Sequence, residues 1–177
     1  MMKNLLLAFV IFAASFLTAK GETNSTKTLR KLFHAAVLDD QLIPEFTSYV
    51  AGIDHPSPLE LAYQAAGEAL KAQEEWNPVE KLLYLKRFQK KMRKAISQGT
   101  DEIEIRFLRF GIEYHIPSIL GFSSNLREDK TMIIDSVAQI DRFEIDQYFT
   151  AYILTLLSDS GLCTNREIEL VKSKIQP

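Results

Sequence analysis

Apolar residues recur along this chain at three- and four-residue spacings, punctuated by proline and glycine. That pattern predicts about eight helices. The first runs from Thr28 to Leu38, with Leu29, Leu32, Phe33 and Ala36 on one face. Asp39-Asp40 interrupts it, and a second spans Gln41 to Ile53 with Pro44 in its first turn, where a missing amide costs little. The inward residues there are Leu42, Phe46, Tyr49, Val50 and Ile53. The next two helices open alike. Ser57-Pro58-Leu59-Glu60 and Asn77-Pro78-Val79-Glu80 each give a capping side chain, a proline and a glutamate at the third position. The third helix reaches Glu75, and its alanines suit close contact with a neighbour. The fourth reaches Ser97, with Leu82, Leu85, Phe88, Met92, Ala95 and Ile96 inward and Gly99 as its stop.

The pattern changes at Asp101. On a helical wheel Ile103, Phe107, Phe110 and Tyr114 share one face, while Ile105, Leu108 and Ile112 share the opposite one. A surface helix needs a single apolar stripe, so this fifth helix belongs between two neighbours. Asp101 is placed to cap it, with Glu104 reaching back. The polar arc carries Glu102, Arg106, Arg109 and Glu113, whose four-residue spacing brings opposite charges together along the helix. Gly111, on the other narrow edge, admits a close backbone. Alternation at Ile103, Ile105 and Phe107 also permits a strand, but it slips phase at Phe107-Leu108. Pro117 to Ser124 is a loop turning at Gly121. A sixth helix follows from Leu126 to Ile140, and a seventh, with a wide apolar arc, from Arg142 to Ser158. Thr164-Asn165-Arg166-Glu167 opens the last, which ends at Ile175.

Short links between the third and fourth helices, and between the sixth and seventh, force antiparallel neighbours. Helix pairs then recur every 30 to 45 residues or so, the range of helical-hairpin repeats. The expected fold class is all-α: antiparallel hairpins in a TPR-like bundle or short solenoid, with no unit matching a repeat consensus along its length. Residues 22–177 form one such domain, opened by a polar lead-in at Glu22 to Thr26.

The N-terminus changes the picture of where the protein works. Lys3 precedes a short apolar run, Leu5 to Leu17, and small residues follow. Residues 1–21 read as a secretory signal peptide cleaved near Ala19 or Gly21. No cysteine follows the run, so a lipoprotein anchor is not expected. The formal net charge is -2, which gives no electrostatic case for nucleic acid. Cys163 is the single cysteine, so no intramolecular disulfide forms. It reads as a small buried hydrophobe.

Candidate chemistry is sparse. His34, His55 and His115 lack metal-ligand spacing, and no nucleophile motif or phosphate-binding glycine loop is present, so neither a cofactor nor an enzyme is expected. The densest polar set is Arg106, Arg109, Glu102, Glu113 and His115. It serves either as an anion pocket or acid–base site, or as an ion-pair ladder on a largely buried helix; the ladder is preferred. Phe122, in the 117–124 loop, is the other candidate for binding, against the plainer reading that it tucks onto the core. The fourth helix carries Lys86, Lys90 and Lys94 on its outer arc, suited to an anionic membrane surface or simply to water beside an acidic third helix.

One resemblance adds to this. The string Glu104 to Phe110, then Pro117 with Leu120-Gly121-Phe122, then Asn125 with Asp129-Lys130, resembles a group of small uncharacterised secreted proteins of Bacteroidetes. Asn77-Pro78 and Lys94-Ala95-Ile96 are similar too. The resemblance implies a periplasmic or envelope location in a Gram-negative bacterium. It implies no activity and carries over no site residues. The expected role is a protein- or peptide-interaction module in the envelope, the alternative being a small-ligand binder or enzyme built on the Arg106 set.

Overall fold

A computed structural model describes residues 24–100, 102–139 and 147–175. The expected signal peptide, Asp101, Ile140 and the start of the seventh helix lie outside them. Every regular element among the described residues is helical. The helices are α1 (Asn24–Leu38), α2 (Ile43–Ala51), α3 (Pro58–Glu74), α4 (Pro78–Gln98), α5 (Ile103–His115), α6 (Leu126–Gln139), α7 (Gln147–Asp159) and α8 (Asn165–Ile175). None is long and apolar enough to cross a membrane.

The helix starts follow local chemistry. Ser57 accepts from the Glu60 amide, and the Glu60 carboxylate accepts from the Ser57 amide at 2.8 Å, a complete capping box. Asn77 caps α4 through the Val79 amide. Thr164 and Glu167 exchange the same pair of bonds ahead of α8. Two boundaries differ from the sequence pattern. α1 begins at Asn24, inside the expected lead-in, and Ser25 there donates to Glu60 of α3. The second helix is preceded by a 3-10 turn, Asp40–Leu42, because Asp39 accepts from the Gln41 amide and tightens the chain before Pro44.

α5 separates two cores. Ile105 and Leu108 face a cluster built from Leu29 and Phe33 of α1, Phe46 and Val50 of α2, the alanines of α3, and Phe88 and Met92 of α4. Phe107 and Phe110 face another, built from Ile133 and Val137 of α6, Ile153 and Leu157 of α7, and Val171 of α8. The two-faced wheel is therefore the structural fact that joins the halves of the molecule. Each large side chain so buried contributes roughly 1.5–3 kcal/mol. α3 and α4 form the most extensive helix pair, and α8 packs on both α6 and α7. The small residues of α3 matter where α2 crosses: a Cβ on Gly67 would stand 3.3 Å from a Val50 methyl.

Leu82 and Tyr49, expected inward, are each 38% exposed. Leu82 lies beside Val79 and Leu83 at the edge of α4, where no helix covers it among the described residues. Cys163 is half-buried against the second core, as a small hydrophobe. Burial pushes its thiol above the ordinary range.

Candidate functional site

The polar residues of α5 leave the helix in two directions, and neither set runs along it as a ladder. On one edge, Arg109 grips Asp129 of α6 with two bonds of 2.6 Å, from Nε and Nη2. Arg106 reaches Glu128 at 2.6 Å and Asp129 at 3.3 Å. Glu113 accepts from the backbone amide and the side-chain amide of Asn125, the residue that precedes α6. Asp129 is fully buried and Glu113 nearly so. Burial pushes both carboxyls above the ordinary range, against the pull of Arg109 on each and the Asn125 bonds on Glu113. Burial works against the Arg109 charge, but the Asp129 bonds and the charges of Asp129, Glu113 and Glu128 together outweigh it and hold the guanidinium protonated. The expected four-residue pairs give way to bonds between helices because α6 presents carboxylates directly opposite the arginines.

On the other edge, Glu104 does not fold back as a cap. It turns inward, takes two bonds from Arg30 of α1 at 2.8 and 2.7 Å, and accepts from the Tyr63 hydroxyl at 2.6 Å. Glu102, at the cap position before α5, makes no side-chain capping bond. Burial, then the Glu104 charge, pushes the Tyr63 phenol well above its ordinary value, so it stays a donor.

The residues expected to converge do not. Arg106, Arg109 and Glu113 are consumed by α6. His115 is exposed on the opposite edge, with Nδ1 2.7 Å from the Gly111 carbonyl. Phe122 is buried against Ala72 and Leu85, the plainer of its two expected placements. Among the described residues no group of three or more His, Cys, Asp or Glu side chains is placed to hold a metal. Arg109 and Glu113 are buried and paired across to Asp129 and Asn125, while His115 is exposed on the other edge, so the set does not meet in one pocket.

What the edge of α5 does offer is a groove. Past Glu104 the same edge carries Gly111 and His115. There a space of about 490 Å³ opens between α5, the end of α1, α3 and the start of α4. Phe33, Leu70, Leu85, Leu108 and Ile112 form its apolar floor and walls, and Tyr152 of α7 borders it. Tyr152 meets Phe107 edge-on at 5.3 Å, which fixes the far wall. Gln73, Lys81 and His115 supply its polar rim. Gly111 lines it, and a Cβ there would lie 3.0 Å from a Leu156 methyl, so its close neighbour is a side chain of α7 rather than the backbone expected. At the mouth Val37 and Leu120 are 40% and 38% exposed, and beyond them Ile119 stands out into solvent. Of this site the sequence pattern gave His115 as a candidate binding residue and Gly111 as a point of close approach, and read Phe33, Leu85, Phe107, Leu108 and Ile112 only as apolar helix faces. Lys81 and Val37 gave no signal, since each is one ordinary position on a helix whose neighbour was unknown. The chain matches no family model, no curated protein and no solved structure.

Proposed function

We propose that this protein is an exported helical interaction module of the cell envelope. Its groove over the Gly111–His115 edge of α5 receives an apolar-faced peptide segment of a partner protein. The observation that carries this reading is the groove itself: core side chains form its walls, and its mouth is rimmed by uncovered Val37, Leu120 and Ile119. Recognition of an amphipathic helix in an apolar groove needs such anchoring walls, with polar groups at the margin to set orientation. Lys81 at the rim favours a segment carrying a carboxylate beside its apolar stripe. The expectation of TPR-like antiparallel hairpins and the secretory leader read in residues 1–21 are in keeping with a secreted binding role. The resemblance to secreted proteins of Bacteroidetes supports a periplasmic one.

The test is a titration with a synthetic peptide bearing leucines at helical spacing and two aspartates, against a scrambled peptide of the same composition. Saturable binding of the ordered peptide, abolished by the paired surface changes Val37→Asp and Leu120→Asp, is the expected result. Equal binding of both peptides, or none, overturns the proposal.

A further inference from the structure

The outer face of α4 is independent of the groove, and its chemistry differs. From Lys81 to Thr100 the chain has no acidic residue, yet it carries Lys81, Lys86, Arg87, Lys90, Lys91, Arg93 and Lys94. The structure sorts them. Lys91 turns to α3 and pairs with Glu68 at 2.6 Å, and Lys81 lines the groove. Arg87 rests over the Tyr84 ring. Lys86, Lys90, Arg93 and Lys94 are exposed and make no ion pair among the described residues. At about 100° per residue, Val79, Leu83, Lys86, Lys90 and Lys94 fall on one outward stripe, which runs roughly 22 Å at 1.5 Å per residue. The N-terminal end of that stripe is apolar and bare. Trp76 is 88% exposed, Val79 65% and Leu83 38%. A large aromatic left in water, next to aliphatics and followed by evenly spaced lysines, needs a partner that is apolar in one place and anionic along a plane.

We infer that α4 docks this protein on an anionic lipid bilayer, with Trp76 and Val79 entering the headgroup boundary and Lys86, Lys90 and Lys94 lying on the charged surface. The bilayer is favoured over an acidic protein because the stripe lies straight along one helix face. Its aromatic end also matches the membrane interface, where tryptophan is enriched. The net charge of the whole chain hides this face, since no acidic residue lies between Lys81 and Thr100; Glu74, Glu75 and Glu80 flank its apolar end.

Trp76 is the only tryptophan, so the docking face carries its own probe. The experiment uses the processed chain, which keeps every described residue. It follows tryptophan emission and co-sedimentation with vesicles of phosphatidylcholine, with and without phosphatidylglycerol. Binding with a blue shift is expected on the anionic vesicles only, reversed when salt is raised from about 0.05 to 0.5 M. Three neutralised lysines, K86Q/K90Q/K94Q, lower the affinity about a hundredfold, at roughly 1 kcal/mol each. Those side chains are exposed, so an unchanged urea midpoint accompanies the loss. Trp76→Ala weakens binding while leaving its salt dependence in place. The inference is overturned if neutral vesicles bind equally, if the triple variant binds like the parent, or if polyglutamate shifts the emission and vesicles do not.

Discussion

Replacing Asp129 by asparagine probes the joint between α5 and α6 with almost no change of shape. Asp129 is fully buried and accepts both short bonds from Arg109 and a longer one from Arg106. An asparagine keeps one acceptor but turns an amide donor toward a guanidinium N–H, and it removes the buried carboxylate to which both arginines are hydrogen-bonded. Arg106 Nε is already buried without an acceptor, so little slack remains. Breaking one side of a buried pair typically costs 3–5 kcal/mol. Glu128 stays within 2.6 Å of Arg106 and 3.4 Å of Arg109 but is largely exposed, which places the loss near the lower end, about 3 kcal/mol. Urea unfolding followed by far-UV circular dichroism measures it, since Trp76 is too exposed to report folding. The double replacement Arg109→Met with Asp129→Leu removes both charges and recovers most of the loss, because apolar packing replaces a desolvated pair. A loss under about 1 kcal/mol for Asp129→Asn, or simple additivity in the double-mutant cycle, would refute the reasoning.

The two-faced character of α5 predicts that Phe107→Ala and Leu108→Ala, adjacent in sequence, each cost about 3–5 kcal/mol by emptying different cores; a small cost for either means that its core repacks freely. Gly99→Ala is expected to destabilise by about 1–3 kcal/mol, because its Cβ would meet Pro58 at 2.8 Å and Ile105 at 2.9 Å; an unchanged melting curve contradicts that crowding. Glu167, bonded to Lys130 and to Thr164 at the α8 cap, is lowered to about 2. A depressed carboxylate contributes stability above its unfolded value and loses it as pH falls toward its folded value. Acid titration of the parent should therefore lose stability between the ordinary glutamate range and pH about 2, and Glu167→Gln should flatten that part of the curve.

What the sequence disclosed, and what it withheld, divides along one physical line. Caps at Ser57, Asn77 and Thr164 were legible because a cap is a contact within four residues. The two faces of α5 were legible because a helix imposes its own period, whatever lies opposite. The destinations of the charges were not. Glu104 reads as a capping residue until Arg30, 74 positions away, is placed beside it, and Arg109 reads as the mate of Glu113 until α6 supplies Asp129. Local spacing offers each charge a weak solvent-exposed partner; the fold offers a buried one. In a buried site the bidentate, charge-assisted bond wins, because the lost hydration must be replaced by more than one contact. The same reasoning explains why the candidate site moved. A cluster dense in charge along one helix is the cluster that neighbouring helices neutralise, whereas the open groove formed where α5 presents glycine and α1 and α3 end in small or apolar side chains. On a helix buried between two cores, function is therefore better sought where the side chains are missing than where the charges are crowded.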